Sequence, residues 1–150
     1  MFRESTDPEV KEILKTGALV SDERTFKVVE EAFGKAKDFK QLIVDGFPRT
    51  QAQAEWLIRT DNAHGRTIAI VIVLEVPDEI IQERLQYRGR EEDTPKIIAE
   101  RLDLYRRETD PILGYFEKNG ITIERIKGTG TVEEIHEKIF AAIEKNKLAE

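Results

Sequence analysis

The chain has no cysteine, one methionine and one tryptophan among its 150 residues. Without cysteine there is neither a disulfide framework nor a thiolate zinc site. Histidine is almost as scarce: His64 and His136 are the two, they stand in no metal-ligand spacing, and both are expected at the surface. Long apolar runs are lacking as well. The stretch from Ile68 to Val76 falls far short of the roughly 20 residues a membrane-spanning helix needs. The opening Met1-Phe-Arg-Glu-Ser does not read as a signal peptide. A soluble, cytoplasmic protein with no membrane partner is the expectation. The formal net charge of −6 argues against general nucleic-acid binding. Apolar residues, at 39%, are too frequent for a disordered chain, and the length suits one domain with a core. There is no internal repeat, low-complexity tract or linker.

The overall acidity hides a local excess of arginine. Arg84, Arg88, Arg90, Arg101, Arg106 and Arg107 crowd one part of the chain. Guanidinium groups bind phosphate oxygens through a planar fork, so such a cluster points to a specific polyanion. An equally good reading is a set of exposed ion pairs with Glu83, Glu91, Glu92, Glu100 and Glu108.

The most informative stretch is Leu42-Ile-Val-Asp-Gly-Phe-Pro-Arg-Thr50. Its unbroken apolar start reads as a short buried strand over 42–46. Gly46 permits a close backbone approach, and Pro48 stiffens the turn. Thr50-x-x-Gln53 then has the form of a capping box opening a helix to Thr60. A carboxylate and an arginine at the carboxyl end of a buried parallel strand stand where open α/β sheets bind ligands.

Earlier in the chain, Asp7-Pro8 opens a helix that Gly17 ends. Ser21 caps a second helix, with Phe26, Val29, Ala32 and Phe33 inward and Gly34 closing it. After the 50–60 helix and a polar loop, residues 67–76 read as a second strand. Pro77 ends that strand, and Asp78 caps a helix to Arg88 that places Arg84 and Arg88 on one face. Gly89 breaks this helix. Thr94-Pro95 opens the next one, buried through Ile98, Leu102 and Tyr105. Pro111 starts a further helical segment through Phe116, ended by Asn119-Gly120. Residues 121–126 read as a third strand. Thr131-x-x-Glu134 is a second capping box, opening a helix buried through Ile135, Ile139, Ala142 and Ile143. The tail from Asn146 is expected to fray. Alternating strands and helices predict an α/β fold with a parallel sheet.

The run Asp45-Gly46-Phe47-Pro48-Arg49, with Gln53 four residues after the arginine, closely resembles the signature of the adenylate kinases and related nucleoside monophosphate kinases. Arg84-x-x-x-Arg88-Gly89-Arg90, then Glu92-Asp93-Thr94-Pro95 and Arg101, resembles that family's lid and its flanks. Glu92 stands where many relatives have Asp, and the lid is short. The resemblance implies a three-layer fold, a parallel sheet with helices on both faces. It divides the chain into monophosphate-binding helices (1–41), core (42–83), a short lid region (84–101) and core again (102–150). It implies reversible phosphoryl transfer, ATP plus AMP to two ADP. On the AMP side it places Arg3, Leu19, Val20, Gly46, Arg49 and Gln53. Gly17-Ala18-Leu19-Val20 would lay its backbone along the acceptor base. Arg84, Arg88, Arg90 and Arg101 are the implied catalytic arginines, Arg84 and Gly128 lie on the ATP side, and Asp45 holds Mg2+ through water. A monomer is implied for the full-length form. Two residues keep a plainer alternative, Arg3 as a terminal arginine and Gln53 as part of the capping box.

One family element has no counterpart in these 150 residues. No Gly-x-x-x-x-Gly-Lys occurs; Gly128-Thr-Gly130 is too short and lacks the lysine. The resemblance therefore implies that the first strands, including the central one, are missing, and that Met1 is an internal methionine of a longer gene. Little or no kinase activity is expected of the 150 residues alone, and self-association is open to them. The alternatives are a non-catalytic nucleotide-binding or interaction module derived from the fold, and a kinase for another nucleoside monophosphate. With the central strand missing, 42–46 and 68–76 are expected not to pair directly.

Overall fold

The computed structural model describes Ile13, Thr16, residues 18–90 and residues 92–146. Arg3, Gly17 and the Asp7-Pro8 helix start lie outside the described residues. The elements run α1 (Asp22–Lys35), α2 (Gln51–Ala63), β1 (Val71–Glu75), α3 (Asp78–Arg88), α4 (Pro95–Leu104), a π-helical turn (Tyr105–Thr109), α5 (Asp110–Lys118), β2 (Ile123–Lys127) and α6 (Val132–Lys145). The class is α/β, with a parallel pair of strands in register from Val71 opposite Ile123 to Glu75 opposite Lys127. Parallel strands need a long crossover, and α3 to α5 supply it. Backbone bonds at either end, Val71 N–H to Thr122 O and Gly128 N–H to Glu75 O, each 2.9 Å, extend the ladder.

The strand expected over 67–76 shortens to 71–75 because its partner begins late. Residues 119–120 are still the turn that ends α5, with Gly120 at φ 73°. The strand expected over 42–46 is corrected outright. Among the described residues it belongs to no sheet and makes no backbone hydrogen bond to 68–76. Its Ile43 is 94% exposed. The absence of direct pairing with 68–76 was expected; the absence of any strand at 42–46 was not.

Beneath the strands, Ala54 of α2 meets Ile112 and Phe116 of α5, and Ile58, Ile68, Val71, Ile121 and Ile123 pack around them. This apolar cluster seats α2 and α5 together below the two strands. A second contact set is aromatic. Trp56 of α2 stacks on Phe26 of α1 at 4.9 Å between centroids and takes Phe47 edge-on at 6.1 Å. The turn after residue 46 is thereby tied to both helices.

Several helix ends follow local chemistry. Thr94 accepts from Ile97 N–H ahead of Pro95, and Thr131 with Glu134 forms the full reciprocal capping box. Gly89 ends α3 in the left-handed region, φ 66°. Others differ from expectation. Ser21 stands at the N-cap of α1, but its side chain makes no capping bond. Gly34 does not close α1, which runs on to Lys35 with Ala36 as cap. The α2 helix extends past Thr60 to Ala63. Pro77, not Asp78, is the cap of α3, and Asp78 in the first turn pairs with Arg106. Asn146 is anchored, donating to Glu124 Oε1 at 3.2 Å and to Ala142 O at 2.8 Å.

The largest departure lies between α4 and α5. A fresh start was expected at Pro111, yet the backbone continues through a π turn in which Asp110 N–H reaches Tyr105 O, five residues back. Proline lacks an N–H, and its ring collides with the carbonyl four residues earlier. Widening the turn by one residue removes the collision without ending the helix. Among the described residues no helix is long and apolar enough to cross a membrane.

Candidate functional site

The turn at 45–50 is built around the main chain of Arg49. Gly46 holds φ 76°, a value that disfavours any side chain. A Cβ there would also sit 3.1 Å from Arg49 Nη2. The Phe47–Pro48 peptide is cis. Arg49 Nε donates to Gly46 O at 2.8 Å, which folds the guanidinium back over the turn. Arg49 N–H donates to Gln53 Oε1 at 2.7 Å.

This last bond revises the expected capping box. Thr50 Oγ1 accepts from Gln53 N–H at 3.2 Å, the first half of the box. The returning half arrives one residue early, on Arg49 instead of Thr50. The other end of the Gln53 amide, Nε2, donates to Asp22 Oδ1 at 2.8 Å, and Thr50 Oγ1 donates to the same oxygen at 3.0 Å. Gln53 is 3% exposed and has both ends engaged. Its amide orientation is fixed, since only the oxygen can accept from Arg49 N–H and only the nitrogen can donate to Asp22.

The second part of the site surrounds Asp93. This carboxylate is buried and takes both prongs of Arg88, Nε at 2.8 Å and Nη2 at 2.5 Å. Arg101 Nη1 stands 3.8 Å from Asp93 Oδ1. The hydrogen bonds from Arg88 hold the Asp93 carboxyl below its usual range, against the opposing effect of burial. The Arg101 pKa is lowered as well. Burial lowers its pKa first, and the charges of Arg88 and then Arg49 lower it further. Arg88 and Arg101 thus share a single buried carboxylate, and the charge of Arg49 acts on Arg101. Such a cluster of guanidinium groups is suited to a multiply charged oxyanion.

The remaining arginines of the lid pattern do not join this group equally. Arg84 donates to Gly128 O at 2.9 Å and to Gly130 O at 3.2 Å, pinning the loop after β2. Arg84 and Gly128 are therefore brought together. Gly128 has no room for a side chain, since a Cβ would lie 2.7 Å from Val76 Cγ2. Arg90 is exposed, and its carbonyl accepts from Asp93 N–H at 2.9 Å. Val20 is buried and its carbonyl faces Thr25 Oγ1 at 3.5 Å; Leu19 is half-buried. Arg106 and Arg107 form ion pairs within the helical frame, with Asp78 and Asp103.

Asp45 is exposed, and among the described residues no group of three or more carboxylate or imidazole side chains could hold a metal by itself. A single accessible carboxylate does fit Mg2+, which is commonly bound through one or two carboxylates with water and substrate phosphates completing its shell.

Two polar residues at the site were not anticipated. Asp22 anchors both Thr50 and Gln53, and Thr109 Oγ1 donates to Arg49 O at 2.9 Å. Asp22 does look like a residue that favours a helix N-terminus, but nothing local signals its partners. The Thr109 bond spans 60 residues and has no sequence signature at all.

The geometry can be set beside known proteins. The family model described as adenylate kinase matches residues 3–121. Adenylate kinase of Micrococcus luteus is 36% identical over 139 residues, covering 90% of this chain and 67% of the relative. Adenylate kinase of Thermus thermophilus is 36% identical over 138 residues, covering 89% of this chain and 71% of the relative. That of Prochlorococcus marinus is 37% identical over 131 residues, covering 87% and 70%. The relatives are longer than this chain. With the Asp-Gly-Phe-Pro-Arg turn clasped by Gln53 and the arginines gathered on Asp93, these matches place the chain in the adenylate kinase family.

Proposed function

We propose that these residues serve phosphoryl transfer between ATP and AMP, giving two ADP in the cytoplasm. The observation that carries the reading is the convergence of Arg88 and Arg101 on one buried carboxylate, with the charge of Arg49 acting on Arg101. Phosphoryl transfer asks mainly for positioning and charge stabilisation. A single arginine placed against the transition-state charge is worth roughly 10³–10⁵ in rate in well-studied cases. Arg49 would take the AMP phosphate, together with Arg3, while Leu19, Val20 and Gly46 line the acceptor side. Arg84, Arg88, Arg90 and Arg101 would close over the donor and transferring phosphates, with Gly128 beside Arg84. Gln53 would read the acceptor base by giving up its contact with Asp22. Mg2+, when bound through water near Asp45, would supply charge neutralisation at the phosphates.

The 150 residues contain no Gly-x-x-x-x-Gly-Lys, so an N–H cradle and lysine for the donor are not supplied by them. That favours one second reading, a module that binds nucleotide without turning it over. Trp56 separates binding from turnover, because it is the one tryptophan and packs on Phe47 of the Arg49 turn. Titration with AMP is expected to change Trp56 emission saturably. Arg49→Ala is expected to weaken that response about 10- to 100-fold, the range for a charge-assisted hydrogen-bond pair. A coupled assay for ADP is expected to detect little turnover by the 150-residue chain. An AMP response indifferent to Arg49→Ala would remove the acceptor assignment.

A further inference from the structure

Thr109 sits in the helical region, at φ −95° and ψ −45°, just before Asp110-Pro111, yet its side chain caps nothing. A helical threonine ordinarily turns its hydroxyl to the carbonyl a turn behind. Here the hydroxyl leaves its own helix and donates to Arg49 O at 2.9 Å. The π turn accompanies this choice. Tyr105 O already accepts from Asp110 N–H, and Arg106 is tied to Asp78 at the start of α3.

Arg49 is consequently held at both ends of its own backbone, its N–H by Gln53 and its C=O by Thr109. Thr109 and Arg101 lie on one continuous helical stretch, α4 and its π turn. The bond therefore joins the main chain of Arg49 to the element that carries Arg101. The charge of Arg49 disfavours that of Arg101, and the Thr109 bond is the contact that ties Arg49 to the helix carrying Arg101.

We propose that Thr109 is a positioning residue: its hydroxyl clamps the Arg49 carbonyl to the α4–π-turn helix, holding the Arg49 and Arg101 guanidinium groups against a common oxyanion. This rests on the reading of Arg49 as the acceptor-phosphate residue. Thr109 itself touches no reacting atom.

The test uses the full 150-residue chain with AMP as probe and Trp56 emission as readout. Thr109→Val keeps the shape and β-branching but removes the donor; Thr109→Ser keeps the donor. Thr109→Val is expected to raise the Kd for AMP roughly three- to ten-fold, the worth of one hydrogen bond, with the urea midpoint nearly unchanged. Thr109→Ser is expected to restore the affinity. Amide exchange at Arg49 N–H is expected to quicken in Thr109→Val alone. An AMP affinity equal in wild type and Thr109→Val overturns the clamp and leaves the Arg49 assignment standing. No AMP response in the wild type removes the Arg49 assignment and the clamp with it. Equal losses in Thr109→Val and Thr109→Ser, with a lowered urea midpoint, show a packing role and overturn the proposal.

Discussion

Residues 42–46 and 123–127 both read as strand in the sequence, yet they end in opposite states. Ile123–Lys127 lies in a parallel ladder above Ile112 and Phe116. Leu42-Ile-Val44 lies in no sheet, with Ile43 almost fully in solvent. The difference is not one of propensity, since Leu42-Ile-Val44 is an unbroken apolar run while Ile123-Glu-Arg-Ile-Lys127 has only two β-branched residues. It is one of partners. A strand becomes one when a neighbouring backbone accepts its N–H groups and a core covers one face. Residues 123–127 have both; residues 42–46 have neither among the described residues. What fixes the end of the 42–46 stretch is the Phe47–Trp56 contact and a set of polar bonds, those of Arg49, Gln53, Thr50 and Asp22. The molecule thus has an apolar half built on a ladder and a polar half built on clasps.

Changes in each half should separate the two. Phe116→Ala strikes the apolar half, where the ring is 3% exposed. It is expected to cost about 3–5 kcal/mol, read as a lower urea midpoint. A loss under about 1 kcal/mol would mean that the ladder does not depend on this core.

Asp93→Asn strikes the polar half and is expected to cost about 1–2 kcal/mol at neutral pH. Its pH dependence is the sharper readout. The native Asp93 pKa lies below the ordinary value, first through the Arg88 hydrogen bonds. The carboxylate's contribution is therefore complete above the unfolded-state value of about 3.9 and is lost as pH falls through the native one. Urea midpoints of wild type and Asp93→Asn should differ most at neutral pH and converge below about pH 4. A gap that stayed constant down to the acid limit would show that Asp93 stabilises by shape and not by charge.

Ile43→Ser should be the smallest effect, within about 0.5 kcal/mol, as for surface substitutions generally. A larger loss would mean that Ile43 is covered in solution, and the contrast between the two halves would need redrawing.

How much of this was legible in the sequence depended on the range of the interactions. Thr94-Pro95, Thr131-x-x-Glu134 and Gly89 act within a turn of themselves, and each ends or starts a helix where the letters say. The Asp-Gly-Phe-Pro-Arg run and the spacing of Arg88 and Arg101 were visible, and so was the family. Asp93 was visible as an acidic position but not as the buried counter-ion of Arg88 and Arg101, because that requires the 88–93 turn to close. Asp22 and Thr109 were not visible, since their contacts are set by how α1 and the π turn pack on residues 49–53. The false strand at 42–46 has the same cause: pairing is a property of two segments, and sequence periodicity describes one.

The π turn also sets a numerical phase for the chain. An α-helix advances about 100° per residue, so the widened turn carries one residue more than the regular count between α4 and α5. Arg101 and Phe116 therefore face their separate neighbours only because the spacing between them is one longer than an uninterrupted α-helix would use. Closing 105–109 as a regular α-helix at unchanged length would leave every side chain in place chemically, yet rotate the arginine-bearing segment by roughly a quarter turn relative to the core-bearing one. Length in this short stretch is as much a part of the site as any residue within it.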